Sequence, residues 1–178
     1  MSFMDVWQYH TPMVIVDLST GFFITANPGG YGTAASPMEN PNEINDEKGV
    51  NWARSTVPGM SHPRYQFVAG NPRIIRFKLQ YHWSFDPTAV RRECMWLQSM
   101  LYPTHAGLAL LRPPAICMIV FGLHYRGVKV VFTDVKVKYG QLFQPQSLYP
   151  LRAEAECVCE EWVEQSVGPT ELRIGAAV

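Results

Sequence analysis

The sequence predicts a mainly β domain, a β-rich α+β chain folded as an antiparallel barrel or sandwich with one packed α-helix. Three observations carry this expectation. Apolar and polar residues alternate with period two in several segments. Helical spacing is confined to one stretch that opens at Asp86 and stops before Pro103. The order of elements lacks the βαβ rhythm that a parallel sheet requires.

Residues 13–18 and 22–26 are short β-prone runs around Ser19-Thr20-Gly21, the pattern of a hairpin with glycine in its turn. Residues 27–72 contain six prolines and six glycines, and punctuation that dense predicts a long loop without extended regular elements. Ile75, Phe77, Leu79, Tyr81 and Trp83 then alternate with Arg76, Lys78, Gln80 and His82, a strand with one buried face. Asp86-Pro87 predicts an N-cap followed by proline in the first helical position. Val90, Cys94, Leu97 and Leu101 recur at helical spacing after it, for a helix of about four turns.

After Pro113-Pro114, residues 116–121 predict an apolar strand, and Val128, Val130 and Phe132 another beyond a turn at Arg126-Gly127. The apolar positions then change parity to Val135, Val137 and Tyr139, which predicts a bulge or bend at Thr133-Asp134. The last strand sets Ala153, Ala155, Cys157 and Cys159 on one face against Arg152, Glu154, Glu156 and Glu160 on the other. Such small residues suit close packing against the helix.

A chain of 178 residues suits one domain, able to bury roughly 70% of its extended surface. Its 47% hydrophobic and 17% charged residues exclude a disordered chain and leave apolar surface for an interface. Fifteen basic residues balance fifteen acidic ones, so no net field recommends nucleic acid or an anionic membrane. Asp5 and Trp7 stand where a signal peptide would carry positive charge and an apolar core, and the longest apolar run, residues 115–121, is too short to span a bilayer. The expectation is a soluble protein made in the cytoplasm, with no stable membrane binding.

Chemistry-bearing patterns are sparse. Cys94, Cys117, Cys157 and Cys159 lack metal-ligand spacing and are expected as buried small hydrophobes. His10, His62, His82, His105 and His124 are scattered, and no nucleophile elbow, Walker loop or dinucleotide fingerprint occurs. Gly29-Gly30-Tyr31-Gly32 lacks the strand-to-helix context of a phosphate loop. Glu160 and Glu161 are strand neighbours and point to opposite faces rather than acting as paired carboxylates. The expectation is no catalytic residue, no metal and no cofactor. Lys129, Lys136 and Lys138 near Tyr125 and Tyr139 supply a second reading, a monomeric β-barrel binding single-stranded nucleic acid or a small ligand.

Three segments share an order with a known family. The first is Phe22-Phe23-Ile24-Thr25-Ala26-Asn27-Pro28, and the second is Gly70-Asn71-Pro72 leading into the alternating strand and helix. The third is Pro113-Pro114, a strand ending at Gly122, then Val131-Phe132-Thr133-Asp134-Val135-Lys136-Val137-Lys138-Tyr139, Phe143, Pro145, Pro150 and Arg152-Ala153. Together they resemble the N-terminal tube-domain family of contractile injection systems, whose members sit in baseplates between spike hub and tail tube. The resemblance implies a tail-tube-like split β-barrel with a flanking helix, assembled as a six-fold ring around a channel. It implies a structural subunit in the virion tail baseplate, assembled in the host cytoplasm, with tail tube, spike hub and baseplate wedge proteins as partners and DNA only as a passenger. Family members often carry a peptidoglycan-binding LysM module after this domain, whereas only residues 163–178 follow Trp162 here. The expected organisation is a domain over residues 1–163 and a short tail over 164–178, without cell-wall binding.

The long loop is expected to be an assembly element ordered by neighbouring subunits. Tyr31, Trp52, Tyr65 and Phe67 are its candidate interface residues, because aromatic side chains most often anchor interfaces. Cover by the host barrel is the alternative for these side chains.

Overall fold

The computed structural model describes residues 12–26, 37–56, 58–59, 61–82, 86, 88–106 and 109–163. The strands are β1 (Met13–Asp17), β2 (Phe23–Thr25), β3 (Ile44–Ser55), β4 (Arg64–His82), β5 (Thr104–Ala106), β6 (Ala109–Arg112), β7 (Ile116–Phe121), β8 (Tyr125–Tyr139) and β9 (Arg152–Glu161), and the helix is α1 (Ala89–Ser99). Seven strands form one sheet in the order β2-β1-β7-β8-β9-β4-β3, while β5 and β6 make a separate ribbon. Every pairing is antiparallel. The chain is thus mainly β, with one helix, as its patterning predicts.

The first hairpin forms where expected, and its turn is held by Asp17. One Asp17 carboxylate oxygen accepts from the Ser19 amide and hydroxyl, each at 2.7 Å, and the other from the Thr20 hydroxyl at 2.7 Å. Gly21 closes the turn at φ 73°, a left-handed conformation that suits glycine.

The core lies on one face of β4, β9 and β8. Ile75, Phe77, Leu79 and Tyr81 stand opposite Cys159, Cys157, Ala155 and Ala153, and this row of β9 in turn faces Phe132, Val135, Val137 and Tyr139. The register slips between Phe132 and Asp134, which places the bulge where the parity change predicts it. On the other face, Lys136, Glu156 and Lys78 form a cross-strand row of alternating charge, so that surface is wetted and internally balanced.

The helix packs on β8 and β9 through Ala89, Val90, Cys94 and Leu97, and the small side chains of β9 permit this close approach. It is shorter than its spacing predicts, with 11 residues and Thr88 as cap residue. Asp86 still governs its start, because its carboxylate accepts from the Thr88 amide at 2.9 Å and from Arg92 at 2.9 Å. Pro87 lies outside the described residues. Leu101 falls beyond the helix, half-buried against the core, where 3₁₀-type bonds from Met100 to Tyr102 wind the chain down.

The sheet rolls toward a barrel without closing. Its edges are β2 and β3, yet the Met13 amide donates to Asn40 Oδ1 at 2.8 Å, bringing β1 beside the segment that leads into β3. One sequence expectation is corrected here. The turn between β7 and β8 is formed by Gly122, Leu123 and His124 rather than Arg126-Gly127; Gly127 instead lies in β8 at φ 104°, beside a register slip opposite β7. The β5–β6 ribbon was not predicted, because strands of three and four residues leave no period to read.

The larger correction concerns residues 27–72, where regular structure is extensive. β3 is 12 residues long and β4 is 19, and they pair from Ile44↔Phe77 to Ser55↔Arg64. Glycine and proline punctuate this hairpin instead of dissolving it. Pro58 and Gly59 occupy its turn and Pro63 precedes β4. Gly49 faces Asn71 and Pro72 at a register slip, where a proline without an N–H is tolerated.

Candidate functional site

β9 last pairs with β4 at Ile74↔Glu160, so from Arg73 outward β4 pairs, among the described strands, with β3 alone. The hairpin therefore leaves the sheet as a two-stranded arm. Ile44 and Asp46 stand opposite the core residues Phe77 and Ile75, and the same parity of β3 runs on through Val50, Trp52 and Arg54. Two slips on β4, at Asn71-Pro72 and at Val68, add two residues and so restore the face, setting Phe67 opposite Trp52 and Tyr65 opposite Arg54. One face of the arm is thus a continuation of the core face, extended past the point where the core ends.

That face is aromatic and exposed. Trp52, Tyr65 and Phe67 are 55%, 55% and 59% exposed, and Val50 and Val68 add exposed aliphatic surface. The Trp52 and Phe67 rings meet edge to face, with centroids 5.8 Å apart. The Arg54 guanidinium lies 5.6 Å from the centre of the Tyr65 ring. Ala53, Ser55, Arg64 and Gln66 occupy the opposite face. Of the four predicted interface residues, three come together here, and Tyr31 lies outside the described residues. Among the described residues of the excursion, Met38 is fully buried and Ile44 half-buried against the core.

At the base of the arm, four strands contribute one polar cluster on the core face. Arg73 Nε donates to Asp46 Oδ1 at 2.8 Å and Oδ2 at 3.0 Å, and Arg73 Nη1 donates to Glu161 Oε1 at 3.5 Å. The Tyr125 hydroxyl donates to Asp46 Oδ2 at 3.1 Å, and the Arg73 guanidinium stands 5.7 Å from the centre of the Tyr125 ring. The bond from Arg73 holds the Asp46 carboxyl below its ordinary range against the opposing effect of burial, and the bond from Tyr125 helps. Burial first, then the Asp46 charge, pushes the Tyr125 phenol up to about 12. This cluster was invisible in the sequence, because its members lie in four strands far apart along the chain. Glu160 and Glu161 do separate to opposite faces, and Glu161 is the one turned to Arg73.

In the nucleic-acid reading, the two tyrosines lie on the core face of β8 and its lysines on the other. Tyr125 is buried, Lys136 pairs with Asp134 at 2.8 Å, and Tyr139 lines a hollow at the other end of the sheet. That hollow, about 520 Å³, lies between α1 and the loop before β9 and is lined by Arg91, Met95, Phe143, Leu148 and Tyr149 as well. Its wall is mixed, with Ser147 and Arg91 among aliphatic and aromatic side chains, and the Arg91 guanidinium lies 5.8 Å from the Tyr149 ring centre. The four cysteines are buried and free, as expected of small core residues. Among the described residues, no group of three or more His, Cys, Asp and Glu gathers as a metal site. No helix among them is long and apolar enough to cross a membrane.

No family model matches the chain, and no curated protein matches it. Solved structures similar to it include the following two. One is the SPP1 Dit protein, described as a paradigm of the hub adsorption apparatus in phages infecting Gram-positive hosts, with 10% identity and a TM-score of 0.45 over 68% of this chain. The chain spans 43% of that protein's length. The other is the tail of an empty GTA particle with C6 symmetry, with 11% identity and a TM-score of 0.41 over 94% of this chain and 98% of that one. What the fold defines is a class, an antiparallel β-rich domain with one helix and a projecting arm.

Proposed function

We propose that this chain is a structural subunit of a contractile phage tail baseplate, forming or joining the ring that connects the spike hub to the tail tube. The observation that carries this reading is the aromatic face of the arm, which continues the core face and on which Trp52, Tyr65 and Phe67 stay more than half exposed, with no second layer over it among the described residues. Exposed aromatic surface of this kind marks an interaction site. The hollow at the Tyr139 end, with Arg91 and Ser147 among its aromatic and aliphatic walls, lies at the opposite end of the sheet from the arm. Two unlike surfaces at opposite ends favour heterologous contacts, which repeat into rings or stacks rather than closing as a two-fold dimer.

In this reading the role is structural and needs no cofactor. The partners are further copies in a six-fold ring together with tail tube, spike hub and baseplate wedge proteins, in a baseplate assembled in the host cytoplasm. The wetted, charge-balanced face of the sheet suits the lining of a channel through which DNA passes. Electron microscopy of the purified chain, alone and with tail components, tests the proposal. Six-fold rings or incorporation into baseplates are expected, and a chain that stays monomeric and is excluded from tails would overturn it.

A further inference from the structure

We infer that Asp46, Arg73, Tyr125 and Glu161 form a clamp that fixes the direction in which the arm leaves the sheet, so that presentation of its aromatic face is controlled at its base. The functional weight of the clamp rests on the docking role proposed for the arm; its mechanics do not.

The arm needs such a device. From Arg73 outward it is a two-stranded ribbon, and two such strands alone hold their shape weakly in water. The slips at Gly49 opposite Asn71-Pro72 and at Val68 follow directly, and bulges bend and twist a ribbon. Without a brace, the backbone at this joint leaves the arm several directions. The clamp supplies bracing where the hydrogen-bonded ladder stops. Arg73 ties β4 to β3 through Asp46 and to the end of β9 through Glu161. Tyr125 reaches from the start of β8 to the same Asp46 oxygen that Arg73 engages, and its ring is 1% exposed, so it is anchored in the core.

The clamp is also accessible. The Arg73 and Asp46 side chains are 27% and 29% exposed, so it can open without unfolding the core. Nearby charges leave Arg73 committed to the cluster. Lys48 is its cross-strand neighbour on β3, and Asp46 and Glu161 are the acids in contact with it. A partner group that competed for Arg73 would free the arm, and one that left it undisturbed would meet the arm already oriented.

Hydrogen exchange on the full chain tests this with two variants. Arg73→Gln removes the charge and the paired bonds, and Tyr125→Phe removes one hydroxyl while keeping the buried ring. In both, amides in residues 48–55 and 64–72 are expected to exchange about tenfold faster, while β7 and β9 keep their protection. Unchanged exchange in the arm of both variants, or equal loosening of arm and core strands, would overturn the clamp. The measurement stands apart from docking. Faster exchange confined to the arm supports the clamp even if wild-type protein never assembles, and unchanged exchange defeats it even if assembly succeeds.

Discussion

Trp52 and Phe67 face each other across the arm as a direct cross-strand pair, ring centroids 5.8 Å apart and planes at 76°, while each remains more than half exposed. Such a pair contributes about 0.5–1.5 kcal/mol at most to the folded chain, and less where solvent reaches both rings. Trp52→Ala is therefore expected to move the unfolding midpoint of the isolated protein by no more than about 4 °C. In the proposed role, incorporation into baseplates should fall sharply. A melt of the variant beside an assembly assay decides the matter: large instability with normal assembly would make Trp52 a core residue.

Leu97 tests the opposite situation. It is fully buried in the stripe that α1 lays on β8 and β9, and truncation leaves a cavity that the packed strands are unable to fill. Leu97→Ala should cost about 2–5 kcal/mol in denaturant unfolding. Arg91→Ala and Arg92→Ala, on the exposed side of the same helix, should cost far less. Equal effects from all three would show that the helix does not pack as the structure has it.

The legible parts of this fold are those where one period governs a whole element. Ile75 to Tyr81 and Ala153 to Cys159 alternate without interruption, and each is buried on the predicted face. The slip at Thr133 was legible for the same reason, since a bulge must reverse the parity beyond it. The arm is hard to read in the sequence because its glycines and prolines interrupt the alternation that marks its strands. Pro58, Gly59 and Pro63 sit at the turn or just before β4, Gly49 and Pro72 at a slip, and between them Val50 and Trp52, then Tyr65 and Phe67, alternate as strands do. Gly122 and Gly127 competed for one turn, and the winner depends on pairing with β7, which is nonlocal. Three of the four candidate interface residues could be named from residue type, but their shared face depends on two bulges. The Asp46–Arg73–Tyr125–Glu161 cluster depends on tertiary proximity alone.

Tyr81 carries a defect that a single atom can test. Its ring is fully buried on β4, and its hydroxyl finds no hydrogen-bond partner among the described residues. A buried hydroxyl without a partner costs about 1–3 kcal/mol in lost hydration. Tyr81→Phe keeps the ring and removes that cost, so it should leave stability unchanged or raise it by about 1 kcal/mol. A loss of more than about 1 kcal/mol would reveal a bond to the hydroxyl, for instance through buried water.

The buried thiols set the alkaline limit of stability. Burial raises Cys94 and Cys117 from the ordinary 9.0 to about 12, and raises Cys157 and Cys159 as well. Above pH 9.0, thiols of the unfolded chain lose protons that the folded chain retains, so the native state binds more protons. Stability is then fully present below the unfolded value and declines as pH climbs toward the folded ones. The acid side runs in reverse. Burial raises the Asp17 carboxyl, but bonds from Ser19 and Thr20 outweigh it, and the bond from Arg73 lowers Asp46, so both contribute stability above their ordinary 3.8 that is lost as pH falls below it. Thermal melts should therefore show a plateau between about pH 5 and 8, with the midpoint falling steadily from about pH 9 to 11. Thiol labelling supplies the matching observation: at pH 8 the native protein should react with almost none of a thiol reagent, and with four equivalents once denatured. Rapid labelling of native protein, or a midpoint indifferent to pH across the alkaline range, would mean that these cysteines are not packed in the core as the structure places them.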